Sequence, residues 1–286
     1  MKNNRFTSVV GYHQNPYTCG VARWNRELAR RLGAPFVGLD GEWGDHPLLS
    51  LKWGELDEAA HAAVKVKAAV RPCSVFWHDE GSALVTTFAE RVWWAFRDGL
   101  WCPPVPLPVV DKAATRLLAF GMGHKIQTAY FRKIDALISA TGKTYDLRVS
   151  AALHEGTSLH DVSLKFRELE SAVGTLGTLK VMGCLSDMAL AEELAQADAV
   201  CAFFPDGARA NNTSVWTAMR AGAPVITNLD GGSPHDLLHA VNIYDIGMLE
   251  LWPGIHGLRA VGCAGQSTVR DLYADWDLFV RTLCAS

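Results

Sequence analysis

Ala199-Val200-Cys201-Ala202-Phe203-Phe204, then Pro205-Asp206-Gly207-Ala208-Arg209-Ala210-Asn211-Asn212, then Thr213-Ser214-Val215-Trp216-Thr217-Ala218-Met219-Arg220-Ala221, and after Gly222 the run Pro224-Val225-Ile226-Thr227, form the stretch on which the fold turns. The first run is apolar, unbroken and strand-sized. A polar loop follows it, then a segment with helical spacing, then a second short apolar run. Strands that read as continuous apolar runs are buried on both faces, as in a parallel sheet covered by helices. The stretch is one βαβ unit, and its crossover is right-handed.

The same rhythm extends outward in both directions. Strands are expected over 117–120, 147–153, 179–184, 199–204, 224–227 and 242–246. Helices are expected between them over 127–140, 164–173, 188–196, 213–221 and 234–240. The first half is less regular. It offers a strand over 7–12, a helix over 22–32 that stops at Gly33, and a strand over 35–39. A helix over 55–70, a buried strand over 73–77 and an aromatic-faced helix over 88–96 follow. Pro103-Pro104-Val105-Pro106-Leu107-Pro108 removes backbone donors and cannot be helical, so it marks the stiff approach to a linker near 111–115. The expected organisation is a first α/β domain over 1–112, a second over 113–265, and a final helix over 266–286 that packs back on the first domain. Both halves read as Rossmann-like domains with parallel sheets facing a cleft.

Composition narrows the class. The chain has 286 residues, 49% hydrophobic and 20% charged, which suits two globular α/β units and rules out a disordered chain. A net charge of −3 without basic runs gives no electrostatic reason for a nucleic-acid or membrane-surface partner. No apolar stretch is long enough for a transmembrane segment. The seven cysteines are odd in number and form no C-x-x-C pair. They read as reduced thiols, and with a polar start lacking a leader pattern they lead to the expectation of a cytoplasmic protein. No metal site and no cofactor are expected.

Chemistry is expected where strands end, because open α/β sheets bind ligands at their carboxyl edge. The loop 205–212 leaves a buried strand and opens a helix. Asn211, Asn212, Thr213 and Ser214 stand at the helix start, where backbone N–H groups and the helix dipole suit an anion such as a diphosphate. Gly207 permits close approach, and Arg209 offers a planar cationic fork for phosphate oxygens. The plain alternative is an N-cap worth roughly 1 kcal/mol; the length of the loop favours ligand contact. Gly121-Met122-Gly123-His124-Lys125 occupies the matching place after an earlier strand, with Gly121 and Gly123 for backbone approach, His124 beside them and Lys125 as a point charge. In the first half, His78 and Asp79 follow the strand over 73–77, and His13 follows the first strand. Each histidine suits a general base, with Asp79 as an orienting partner, or else a strand-end group satisfied by a carbonyl. Trp93, Trp94 and Trp101 read as core, or as an acceptor platform.

Several of these segments resemble one family. Gly121–Lys125, Val181-Met182-Gly183, Leu194-Ala195-Gln196-Ala197-Asp198-Ala199-Val200 and Ala218-Met219-Arg220-Ala221-Gly222-Ala223-Pro224-Val225-Ile226 follow the order of the retaining GT-B glycosyltransferases. Gly20-Val21-Ala22-Arg23 with Leu28-Ala29 resembles the opening helix of that family's first domain. The resemblance implies a GT-B-like α/β fold. It also implies a hexosyltransferase-like enzyme that moves a sugar from a nucleotide diphosphate donor to an acceptor hydroxyl; no D-x-D-like pair stands in the right place, so metal independence is expected. The nucleotide sugar is then a co-substrate, and a glycan, a small molecule or a nucleic-acid base is the acceptor. The family carries two donor-site glutamates eight positions apart; Arg209 and Thr217 stand at the matching positions here. A sugar-nucleotide epimerase or phosphorylase of similar fold, or a non-catalytic phosphate-ligand-binding protein, are the alternative readings.

Overall fold

The computed structural model describes residues 5–16, 19–78, 89–94, 114–123, 126–152 and 158–285. For 77, 89–94, 273–277, 279, 281–282 and 284–285 it describes the backbone alone. The chain divides into two compact units, Met1–Phe96 with Tyr273–Ser286, and Arg97–Leu272.

The first unit is built on β1 (Ser8–Val10), β2 (Phe36–Val37), β3 (Pro47–Leu51), β4 (Cys73–Trp77) and β5 (Ala89–Trp94). These form a five-stranded sheet in the order β2-β1-β3-β4-β5, parallel throughout. Helix α1 (Gly20–Leu32) lies between β1 and β2, and α2 (Glu58–Ala68) between β3 and β4. Alternation in β4 sends Cys73 and Val75 to one face of the sheet and Phe76 to the other. The first face packs on Val64 and Ala68 of α2, with Trp43 and Trp53. The second packs on Trp24, Leu28 and Leu32 of α1. Gly33 ends α1 in the left-handed region, and its N–H bonds to the carbonyls of Ala29 and Arg30. Asp57 starts α2 by accepting from the Ala60 N–H.

The second unit carries β6 (Ala114–Met122), β7 (Thr144–Ala152), β8 (Gly177–Gly183), β9 (Ala199–Ala202), β10 (Val225–Thr227) and β11 (Tyr244–Asp245). The sheet order is β11-β10-β9-β6-β7-β8, again wholly parallel. Helices α3 (Thr128–Ser139), α4 (Leu159–Ala172), α5 (Asp187–Gln196) and α6 (Thr213–Arg220) are the crossovers. Leu117, Leu147, Val149, Cys201 and Ile226 from the strands meet Phe131, Ile134 and Ile138 of α3 in one core cluster. The last helix, α7 (Ile255–Ala285), begins against this cluster through Leu258 and Val261. It contributes Val280 and Leu283 to the core around Phe6, Val9 and Leu28 of the first unit.

Three expectations are corrected and one strand is added. Residues 89–94 are a strand parallel to β4, not part of a helix over 88–96. Val92, Trp93 and Trp94 are strand formers, and the run pairs along β4 in parallel register. Strand β3 went unassigned because it opens on Pro47, which a strand tolerates at its first residue; all five of its residues are buried. Residues 234–240 form turns instead of a helix. The Asn242 side chain takes the Leu238 N–H at 2.8 Å and donates to the Asp236 carbonyl at 2.7 Å, competing with the helical ladder. The final helix starts at Ile255, well before residue 266.

Candidate functional site

In the second sheet the strand order reverses between β6 and β9, which lie side by side while their crossovers run in opposite directions. Such a switch point opens a crevice at the carboxyl edge. Gly121 and Gly123 lie at that end of β6, and the loop leading to α6 leaves the same end of β9. The structure thus brings the glycine turn and the 205–214 segment to one edge. His124 and Lys125 lie outside the described residues, as do Asp79, Trp101 and the proline run.

The loop after β9 is held by side chains. Asn228, just beyond β10, accepts from the Phe204 N–H and donates to the Phe204 carbonyl, both at 2.8 Å. Its own carbonyl accepts from the Ala208 N–H at 2.8 Å. Trp216 is fully buried in α6 and donates its indole N–H to the Ala210 carbonyl at 2.9 Å. Asn212 is the N-cap residue of α6, yet its side chain makes no cap hydrogen bond. Its Oδ1 turns back to accept from the Arg209 N–H. In contrast, Ser158 and Ser186 cap α4 and α5 with their hydroxyls. Asn211, Asn212, Thr213 and Ser214 are half-buried at the surface. Thr217, one turn further along, is only 1% exposed and lies on the inner side of α6.

Arg209 does not extend as an isolated cation. Its guanidinium forms a two-pronged pair with Asp230, Nη1 to Oδ1 at 2.6 Å and Nη2 to Oδ2 at 2.8 Å. Asp230 also accepts from the Gly232 N–H at 2.9 Å and the Ser233 hydroxyl at 3.2 Å. The hydrogen bond from Arg209 is the main reason that the Asp230 carboxyl is held down to about 2, so it is ionised throughout the neutral range. Gly207 has φ +77°, and a Cβ there would stand 2.8 Å from the Asp230 carboxyl carbon. A Cβ on Gly232 would stand 3.0 Å from the Arg209 guanidinium. Two glycines therefore make room for one ion pair.

The first sheet has its own switch point, between β1 and β3. His13 follows β1, and the 3-10 turn Trp53–Glu55 follows β3. His13 Nε2 lies 4.0 Å from Glu55 Oε2, and Lys52 Nζ donates to the other Glu55 oxygen at 2.5 Å. The His13 ring also rests against Tyr12, centroids 4.6 Å apart. His78 is placed differently. It is 7% exposed, with Nε2 2.8 Å from Ser50 Oγ. Ser50 donates to Asn25 Oδ1 at 2.5 Å, and the Trp24 ring meets the imidazole edge-on at 4.8 Å. Burial, with the Lys52 charge second, pushes the His78 pKa down to about 3. At neutral pH this is an uncharged hydrogen-bonding group in a buried network.

Sequence reasoning missed Asp230, Ser233, Asn228, Lys52 and Glu55. The signal for the first three was present in Asn228-Leu229-Asp230-Gly231-Gly232-Ser233, a glycine-rich polar loop directly after an apolar run. Lys52 and Glu55 were hidden because β3 went unassigned, so no strand end was sought there. Among the described residues, no group of three His, Cys, Asp or Glu side chains is placed to hold a metal ion, and no helix is long and apolar enough to cross a membrane.

No family model and no curated protein matches this chain by sequence. Solved structures match it by shape. HepE from Anabaena, solved with UDP and glucose, superposes with a TM-score of 0.62 at 11% identity, over 98% of this chain and 100% of its own. A glycosyltransferase from Rickettsia africae gives 0.58 at 8% identity, over 98% and 99%. Sucrose-phosphate synthase from Thermosynechococcus elongatus gives 0.53 at 14% identity, over 97% and 74%. The fold of this chain, two parallel-sheet α/β units, is the GT-B fold that these structures share.

Proposed function

We propose that this GT-B-fold chain is a glycosyltransferase that binds a nucleotide diphosphate sugar at the carboxyl edge of its second sheet and transfers the sugar to an acceptor hydroxyl. One observation carries the reading. The β6/β9 switch point gathers a glycine turn and a helix start whose N-cap side chain is turned away, leaving that end without a side-chain cap. Helix-start N–H groups and the helix dipole there favour a diphosphate and stabilise the charge that grows on it as the sugar leaves. Gly121 and Gly123 allow the backbone to approach the phosphates, and Lys125 supplies the cation. Asn211 to Ser214 line the entry, while Thr217 supports the helix from inside. Arg209 enters as half of an ion pair, not as a lone phosphate ligand. The complex of HepE with UDP and glucose supports the same ligand class.

The acceptor proton needs a base. Among the described residues, His13 is the candidate beside a carboxylate at a switch point. Asp79 stays a candidate orienting group. His78, committed to Ser50 and weakened as a base by burial, is assigned a supporting place under the active strand ends. The reaction needs no metal in this account, since no D-x-D-like pair stands in the sequence segments assigned to the donor, 121–125 and 205–217; turnover is expected to persist in EDTA. The proposed location is the cytoplasm.

The test is a thermal-shift panel of UDP-, GDP-, ADP- and dTDP-sugars, followed by donor hydrolysis and transfer assays. At least one donor is expected to raise Tm, because a ligand of the folded state stabilises it. A panel without a binder sinks the proposal. A second reading, a binding protein without turnover, is favoured by the non-acidic residues at positions 209 and 217. Tight binding with neither hydrolysis nor transfer would select it, and epimerised or phosphorolysed products would select the related enzyme classes.

A further inference from the structure

We infer that Asp230 is the hydroxyl-reading group of this site: its carboxylate, locked by Arg209, accepts a hydrogen bond from a sugar hydroxyl of the bound nucleotide sugar. The inference rests on the reading of the second sheet's carboxyl edge as a nucleotide-sugar site. It adds a specificity-determining residue there that neither the sequence pattern nor the fold assigns.

Asp230 leaves the carboxyl end of β10, the strand beside β9, so it stands on the edge where the 205–214 loop and the α6 start also lie. Its carboxylate is fixed from several sides. Oδ1 accepts from Arg209 Nη1, the Gly232 N–H and the Ser233 hydroxyl. Oδ2 accepts from Arg209 Nη2. The Asp230 N–H donates back to Ser233 Oγ at 3.0 Å, which closes the loop on itself. Gly207, at φ +77°, and Gly232 leave the space that the pair occupies, and a Cβ at either would crowd it.

The two oxygens are not equivalent. A carboxylate offers about four acceptor positions, two on each oxygen. Oδ1 has three described donors, whereas Oδ2 has one. The side chain keeps 40% of its surface exposed. Acceptor capacity therefore remains on Oδ2, on a group that cannot rotate to hide it.

Charge then decides the ligand group. An ionised carboxylate only accepts hydrogen bonds, and so do the oxygens of an ionised diphosphate, so the two repel. The partner that suits Oδ2 is a neutral donor. On a nucleotide sugar, hydroxyls are found on the ribose and on the transferred sugar. Arg209 has a clear part in this arrangement: it neutralises Asp230 enough for an anionic ligand to approach, and it sets the angle of the carboxylate.

The experiment titrates the parent chain and Asp230→Asn with three probes. These are the tightest-binding nucleotide sugar of the panel, the matching nucleoside diphosphate and inorganic pyrophosphate. Asparagine keeps the size but loses the charge and one acceptor. Losing a hydrogen bond to a charged group costs roughly tenfold or more in affinity. D230N is expected to lose that much for the nucleotide sugar while pyrophosphate binds unchanged or tighter, because Arg209 is released toward phosphate. Loss shared by the nucleoside diphosphate places the hydroxyl on the ribose; loss confined to the nucleotide sugar places it on the transferred sugar. Asp230→Ser is the second variant, to be used if D230N fails to melt cooperatively. Equal losses for all three probes, or no loss for any, overturn the inference while leaving the nucleotide-sugar reading intact. A parent chain that binds no panel member overturns both.

Discussion

At the scale of the residue, the two histidines that follow strands in the first unit have been given opposite environments. His13 sits beside Glu55, which is itself paired with Lys52; His78 is enclosed by Ser50, Asn25 and Trp24. A base must exchange its proton with a ligand, and among the described residues only the first environment places a carboxylate beside the ring at a switch point. General-base assistance contributes typically 100- to 10,000-fold, roughly. His13→Ala is therefore expected to lower kcat about 100-fold while donor Kd changes about twofold or less, and Glu55→Gln is expected to show a smaller loss of the same kind. Steady-state transfer kinetics beside donor titration check this split. A parent-like kcat in His13→Ala would return the base to Asp79 or His78.

At the scale of the element, the helix that matters most is α6, which is only eight residues long and buries Val215, Trp216, Thr217, Ala218 and Met219. Trp216 ties its first turn to the preceding loop through the Ala210 carbonyl. Trp216→Ala removes the largest buried side chain of this helix and is expected to cost about 3–5 kcal/mol in a urea melt. Trp216→Phe keeps most of the volume and loses one hydrogen bond, about 1 kcal/mol, and it should loosen donor binding more than that stability loss suggests, because the loop is freed. A Trp216→Ala chain as stable as the parent would show that the loop is not anchored there. The elements of the second unit were legible because each has one dominant signal: an apolar run for β9, a serine or glycine boundary, or the 3.6-residue spacing of Tyr130, Ile134 and Ile138 in α3. Where two signals compete, sequence reading failed. Residues 89–94 have aromatic content that suits either element, and parallel pairing with β4 decides for a strand. Residues 234–240 have helical spacing, but Asn242, later in sequence, captures their backbone. Asp230 and Arg209 could be read singly; their pairing depends on β9 and β10 lying side by side, which no local pattern encodes.

At the scale of the whole molecule, each sheet has one reversal of strand order, and the groups of both candidate sites lie at the carboxyl edges, while Leu117, Leu147, Leu49 and Phe76 fill the strand interiors. Buried titratable groups link this architecture to pH. His78 has a folded pKa of about 3 against an ordinary value of 6.5, so the unfolded chain takes up the proton first on acidification. Stability is expected to be level above 6.5 on this account and to fall as the pH drops from there toward 3. Glu27, held down to about 2 from 4.5 mainly by its hydrogen bond from Arg30, adds a separate loss that starts below 4.5. Urea melts between pH 4.5 and 7.5 isolate the histidine: His78→Gln is expected to flatten the slope in that window, whatever its effect on absolute stability. An unchanged slope would mean that His78 is not buried neutral. The central claim concerns the other unit, and a crystal structure of the chain with the tightest-binding nucleotide sugar tests it most directly. The account predicts the diphosphate against the start of α6 and the Gly121–Gly123 turn, with a ligand hydroxyl on Asp230. A ligand seated at the opposite, amino edge of that sheet, in the small cavity lined by Lys143, Asp198 and Trp252, would contradict it.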